Sequence, residues 1–238
     1  MAKIKFSALV SEMSGKLNGS VIARGKNYTT VRNRVIPVNV QSATQTQVRQ
    51  IFATISKNWS SLSESQREAW NQAVPDWVGT GIFADTLTQS GKSLYQKLNN
   101  NLLMNGFEGV NLPPMKTNFT PIVIDSFEWV SGPPVPELNF EVNSIDGALF
   151  PTSQNLIIKM TRPLTAGTSN VNNKFVKLQN VDFPGAATPT FAGNLYNDYT
   201  AQFGNLPIPS TIGLECFLIN NLTGETSLKA RKVITLEP

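Results

Sequence analysis

Residues 212–236 read IGLECFLINNLTGETSLKARKVITL. An apolar run, Ile212–Ile219, is followed by Asn221-Leu222-Thr223-Gly224-Glu225 and then by a second run, Ser227–Leu236. Short runs rich in β-branched residues on either side of a Gly- and Asn-bearing loop predict a hairpin, with Gly213–Asn220 paired to Thr226–Leu236. Upstream, similar runs recur between turn signals: Ile122–Val130, Leu138–Val142, Leu156–Thr161, Phe175–Val181 and Tyr199–Phe203.

Six or seven short strands within residues 115–238 predict an antiparallel β-sandwich of immunoglobulin or fibronectin type III kind. The Cys…Trp…Cys pattern of antibody domains is missing, so only the general sandwich architecture follows. Leu112-Pro113-Pro114 marks a linker before it. Residues 43–114 change to helical spacing. Val48, Phe52, Ile55 and Trp59 form one stripe, and Trp70, Ala73, Val74 and Trp77 a second, entered through a capping box at Ser63 and Gln66. Pro75, Gly79 and Gly81 lie where that second helix should stop. Leu94, Leu98 and Leu102 form a third stripe that ends at Gly106. Residues 1–42 lack a helical period and contain Val31, Val35, Ile36, Pro37, Val38 and Val40. They predict an extended arm or a short hairpin turning at Asn18-Gly19. The fold class expected is therefore α+β, with an arm (1–42), a helical docking segment and linker (43–114), and a sandwich (115–238).

Composition narrows the chemistry. Of 238 residues 40% are apolar and only 15% charged, enough to bury a core and too little charge for a disordered polyelectrolyte. With no histidine and one cysteine, Cys216, an imidazole base, a His-containing triad or zinc site and a disulfide within the chain are all excluded. Cys216 sits inside an apolar run and reads as a small buried strand residue. Phe6-Ser7-Ala8-Leu9-Val10 is too short for a signal-peptide core, and no window approaches the ~18 apolar residues of a membrane span. Synthesis and folding in a cytoplasm are the expectation.

The candidate catalytic patterns fail on spacing or context. Gln89-Ser90-Gly91-Lys92-Ser93 resembles the end of a phosphate-binding loop, but Thr86 stands where its first glycine belongs, so Ser90-Gly91 reads as the opening of the third helix. Glu137 with Glu141, and Asp125 with Glu128, lie on strands where carboxylates ordinarily face water rather than act as a glycosidase pair. Asp146-Gly147 is a turn dipeptide and no calcium-loop pattern occurs. Trp59, Trp70 and Trp77 fall on apolar stripes and read as core rather than as a stacking platform; Trp129 belongs to the first sandwich strand.

The charge is unevenly placed. Residues 1–50 hold eight cations, Lys3, Lys5, Lys16, Arg24, Lys26, Arg32, Arg34 and Arg49, against Glu12 alone, whereas the remainder of the chain is slightly acidic. Such an arm predicts an acidic partner. Nucleic-acid readers interleave cations with aromatics, and here only Phe6 and Tyr28 are aromatic. The alternation Arg32-Asn33-Arg34-Val35 suits a strand added to a neighbour's sheet, so a protein partner is favoured over nucleic acid or a plain solvated face.

A resemblance covers the first third of the chain. Gly15, Gly19, Ser20 and Val21, then Arg24, Arg32, Arg34, Pro37 and Asn39, continue in register through Gln45, Arg49, Phe52, Trp59, Leu62, Gln66, Arg67, Trp70 and Asn71. This string is similar to an N-terminal module of tailed-bacteriophage virion proteins, with Val40 where that family has proline and Thr30 where it often has an aromatic. The resemblance implies a virion structural component without catalysis, metal or cofactor, present in many copies and held to capsid, portal or connector subunits. The anchoring residues expected are Lys3, Lys5, Gly15, Lys16, Gly19, Arg24, Lys26, Arg32, Arg34 and Arg49, the glycines supplying close approach and positive φ. Two other readings stand beside it: an adhesion or carbohydrate-binding module using the loops Thr165–Asn173 and Pro184–Asn197, and a packaged DNA-associated protein using the cationic arm.

Overall fold

The computed structural model describes residues 2–5, 12–25, 28–35, 38–80, 86–87, 89–117, 119, 121–132, 136–145, 153–168, 170–182 and 190–236. It is a mixed α/β chain with four α-helices and several antiparallel sheets among these residues. Two compact units divide it: Met1–Asn100 with Asn111–Pro113, and Asn101–Val110 with Pro114–Pro238. One division falls between Pro113 and Pro114, and residues 1–42 share a unit with the helices rather than standing apart.

The first unit opens with β1 (Ala2–Ile4), β2 (Gly15–Leu17), β3 (Ser20–Arg24) and β4 (Thr29–Asn33), an antiparallel sheet in the order β1-β4-β3-β2. The hairpin expected at Asn18-Gly19 is there, with Leu17 opposite Ser20. Asn18 takes the positive φ, 49°, which a short amide side chain tolerates. Gly19 takes neither a positive φ nor a close contact, so of the two glycines singled out only Gly15, at φ 117°, has a backbone that favours glycine. The arm is thus a sheet rather than a strap. Val31 and Thr30 of β4 pair with Ala2 and Lys3, a contact between distant residues that local periodicity does not contain.

Helix α1 (Ala43–Ser61) starts where Ser42 accepts the Gln45 N–H. Helix α2 (Glu64–Ala73) carries the full capping box: the Gln66 N–H donates to Ser63 Oγ, and the Ser63 N–H to Gln66 Oε1. Pro75 does not extend α2 but opens a 3-10 turn, Val74–Trp77, because proline suits the first turn of a helix and no later one. A two-residue ladder follows, β5 (Gly79–Thr80) with β6 (Thr86–Leu87). Helix α3 (Gly91–Met104) is capped by Ser90, whose Oγ accepts the Ser93 N–H, and Lys92 is exposed, as the helix-opening reading requires. It stops at Gly106, φ 86°, where the Phe107 N–H returns to the Leu102 carbonyl.

Trp70 is wholly buried, Trp77 nearly so, and Trp59 half so. The Trp70 and Trp59 rings lie 5.3 and 5.2 Å from the buried Tyr95 ring, and the Trp70 indole N–H donates to the Asn111 carbonyl. These are core residues. Gly91 makes the tightest approach: a Cβ there would stand 2.8 Å from the Asn71 amide nitrogen and 2.9 Å from the Trp70 carbonyl carbon. Backbone cannot step aside as a side-chain tip can. Gly91→Ala is therefore expected to destabilise the unit by about 1–3 kcal/mol, despite alanine's better helix propensity, as read by tryptophan fluorescence in a urea titration. A neutral result would mean that α2 moves freely.

The second unit holds β7 (Ile122–Val130), β8 (Glu137–Ser144), β9 (Gln154–Thr161), β10 (Leu164–Thr165), β11 (Phe175–Asp182), β12 (Thr190–Asn194), α4 (Tyr196–Phe203), β13 (Ser210–Asn220) and β14 (Ala230–Leu236). One sheet runs β12-β8-β7; in the other β13 pairs with β14 on one side and with β9 and β10 on the other, and β11 flanks β9. Both sheets contribute to one core. Ile212, Leu214, Cys216 and Leu218 alternate along β13 and pack with Leu156, Ile158 and Met160 of β9, Ile124 and Phe127 of β7, and Leu138, Phe140 and Val142 of β8. Every residue of β13 is buried, so its second face is covered too, where Phe217 and Ile219 meet Ile157 and Phe107.

The hairpin at 212–236 forms as expected, from Ser210 opposite Leu236 to Cys216 opposite Ala230. Its loop closes on Asn220, whose Oδ1 accepts the N–H groups of Leu222 and Thr223, and turns at Gly224, φ 74°. The continuous ladder begins at Ala230 rather than at Thr226, which keeps a single antiparallel bridge to Ile219, while Ser227 donates to and accepts from Leu218 across a wider return. Tyr199–Phe203, expected as a strand, is the end of helix α4. Asn194 Oδ1 accepts the Tyr196 N–H, Tyr199 and Phe203 stack at 4.9 Å one turn apart, and Gly204 ends the helix at φ 82°. A pair at i and i+4 is helical spacing, and it outweighs the aromatic content that reads as strand.

Two sheet edges are blunted. β7 bulges between Ile124 and Ser126, and there Lys232 Nζ donates to the Asp125 carbonyl. β11 bulges between Lys177 and Gln179, and Gln202 of α4 donates to the Lys177 carbonyl.

Candidate partner-binding surface

Register sorts the basic residues of the N-terminal sheet. Lys16, Val21 and Arg32 lie in one row across β2, β3 and β4; Ala23, Thr30 and Lys3 lie in the row two residues on, hence on the same face. The other face carries Leu17, Ile22, Val31 and Ile4. The sheet therefore puts Lys3, Lys16 and Arg32 on one side, together with Val21, Ala23 and Thr30, and most of its larger apolar side chains on the other, together with Ser20, Arg24, Thr29 and Asn33. Lys3 Nζ stands 4.1 Å from the Tyr28 ring centroid, while Lys16 and Arg32 are exposed.

The remaining expected residues scatter. Arg24 lies on the apolar face at the end of β3 and pairs with Glu12, a contact exposed on both sides and worth little in stability. Arg34 follows β4 and is tied through its backbone N–H to the Gly19 carbonyl. Lys5 follows β1 and Arg49 sits on α1, both exposed. Gly15 opens β2. Lys26 lies outside the described residues.

Apolar side chains adjoin this charge in the sequence. Leu17, Val35, Val38 and Val40 are largely exposed, Val38 at 86%, and so is Phe52 of the first helical stripe. Of the stripe Val48, Phe52, Ile55 and Trp59, only Ile55 is fully buried. Among the described side chains of β1–β4, Ile22 alone is buried. A sheet of three- to five-residue strands with so little burial gains little from folding by itself.

A second charged cluster was not expected. Across β14, β13, β9 and β11 the register places Arg231, Glu215, Lys159 and Lys177 in one row. Glu215 is 2% exposed. Arg231 donates from Nε and Nη2 to Glu215 Oε2, both at 2.7 Å, and Lys229 and Lys159 stand 3.2 and 4.0 Å from Oε1. Lys159 and Lys229 both lie over the Phe217 ring, and Arg231 over Phe175. Burial, and then the charge of Lys229, holds the Lys159 ammonium below the ordinary lysine range; burial and then Lys159 do the same to Lys177. These residues are far apart in sequence and carry no local signature; only the strand register assembles them.

The other candidates have plain roles. Asp125 and Glu128 are exposed on β7, and Glu137 is exposed on β8 with Glu141 partly so. Burial, with Glu215 beside it, pushes the Cys216 thiol well up, which leaves it a core residue. Trp129 packs at the core's edge, 5.8 Å from Tyr196. Of the two loops considered for glycans, residues 169 and 183–189 lie outside the described residues, and 190–194 form β12 rather than loop. No helix among the described residues is long and apolar enough to cross a membrane. Comparison with models of known protein families and with curated proteins finds no match.

Proposed function

We propose that this chain is a non-enzymatic structural component of a tailed-phage virion, held at the capsid surface or head–tail junction by its N-terminal sheet. The observation that carries the reading is the sheet's grouping of Lys3, Lys16 and Arg32 on one side, with Leu17, Ile22, Val31 and Ile4 on the other beside Arg24, which is paired with Glu12. Rows of cations at fixed strand spacing meet carboxylates on a neighbouring subunit, and the exposed valines 35, 38 and 40 bury against the same partner. The module resemblance over the first third of the chain supports the same reading. On this reading the second unit is an immunoglobulin-like sandwich module, and repetition around the particle makes modest single contacts sufficient.

The test is incorporation of a chain with Lys3, Lys16 and Arg32 all changed to Glu. Reversing three interfacial charges should lower the copy number per particle by about tenfold or more, while circular dichroism of the free chain stays unchanged. Normal copy number would overturn the anchor. Retained glycan binding with no particle association would favour adhesion, and a steep loss of DNA affinity with salt would favour the packaged-DNA reading.

A further inference from the structure

The cluster around Glu215 has more positive charge than Glu215 requires. One buried carboxylate needs one counter-charge, and Arg231 supplies it through two N–H groups on Oε2. Lys229 and Lys159 then crowd the other oxygen, and Lys177 stands directly opposite Lys159 on the neighbouring strand. Like charges facing each other across a ladder are unfavourable. The register nevertheless fixes these two, and neutral acceptors hold the outer members. Asn105 Oδ1 accepts from Lys177 Nζ at 2.9 Å, while its own Nδ2 donates to the Asn101 carbonyl; Asn172 Oδ1 accepts from Arg231 Nη1. Three cations are thus positioned around one carboxylate, and a fourth, Lys177, stands one strand further out opposite Lys159.

We infer that Lys159, Lys177 and Lys229, with Arg231 behind them, form a binding site for a small polyvalent oxyanion of the phosphate class. Excess charge of this size asks for a ligand carrying more than one negative charge. The guanidinium of Arg231 is already engaged by Glu215, so the ligand would meet lysine ammoniums, compact point charges that favour a doubly charged phosphate over a singly charged carboxylate by charge rather than by shape. The site is independent of the N-terminal anchor, since every member belongs to the second unit.

The test is a titration of the isotope-labelled full chain with inorganic phosphate at constant ionic strength, followed by amide resonances. Saturating shifts at Lys159, Lys177, Glu215 and Arg231 are expected, with a midpoint on the order of millimolar. Acetate at the same ionic strength should bind about tenfold more weakly. Lys177→Met, which leaves the contacts of Glu215 intact, should weaken phosphate by about tenfold; if it does not fold, Lys229→Met, at the more exposed end, serves instead. Shifts that rise linearly, a midpoint unchanged in the variant, or acetate binding as tightly as phosphate would each overturn the site.

Discussion

Trp70→Ala is expected to cost the first unit about 3–5 kcal/mol, the largest single loss available in that unit. Trp70 is completely buried, packs edge-on against Tyr95 at 86°, and spends its one polar atom on the Asn111 carbonyl. Truncation removes the ring, strands Tyr95 without one of its two aromatic neighbours, and takes the indole donor from the part-buried hydrogen bond to the Asn111 carbonyl. Trp70→Phe separates these contributions. It keeps most of the apolar contact and loses the hydrogen bond, so about 1–2 kcal/mol is expected. Urea denaturation followed by far-ultraviolet circular dichroism measures both. A Trp70→Ala variant within about 1 kcal/mol of the parent would show that the helices do not depend on this ring.

The second large effect is expected at Arg231. Glu215 is almost fully buried, and Arg231→Met removes both donors to its Oε2. Breaking a buried pair from one side costs about 3–5 kcal/mol in general. Here the half-exposed guanidinium and the two lysines remaining on Oε1 bring the expectation down to about 2–4 kcal/mol. The informative partner is Glu215→Leu combined with Arg231→Met, which removes the buried charge as well. That double variant should be more stable than Arg231→Met alone, because the cost lies in a buried Oε2 left without its donors rather than in the absent arginine. If the double variant were less stable, the pair would be contributing net stability and the reasoning from desolvation would fail.

Local signals in the sequence were read well where the physics is local. The capping box at Ser63 and Gln66, the leucine stripe of α3 and its stop at Gly106 each lie within one or two turns. The strand Ile122–Val130 is bounded by its own composition and matches in full. What escaped depends on residues that are distant in sequence. Pairing of β1 with β4 turned an arm into a sheet, and the faces of that sheet, which separate Lys3, Lys16 and Arg32 from Arg24, follow from register alone. The Glu215 cluster escaped for the same reason. At Tyr199 and Phe203 the signal is local, an i and i+4 aromatic pair before a glycine, and it competes with the strand propensity of the same aromatic residues. The exposure of Val48 and Phe52 shows a further limit: a stripe predicts a helix, not what covers it.

The bulges at Asp125 and at Lys177 have a consequence for crowding. β7 and β11 are long border strands, and an uncapped border strand is a template on which the next copy can continue the ladder. At each, a bulge bends the strand and a side chain from another element occupies a carbonyl, Lys232 in one case and Gln202 in the other. Continuation of the ladder from one copy to the next in concentrated solution is thereby disfavoured. Lys232→Val and Gln202→Leu would leave both cores intact and make concentrated solutions gel.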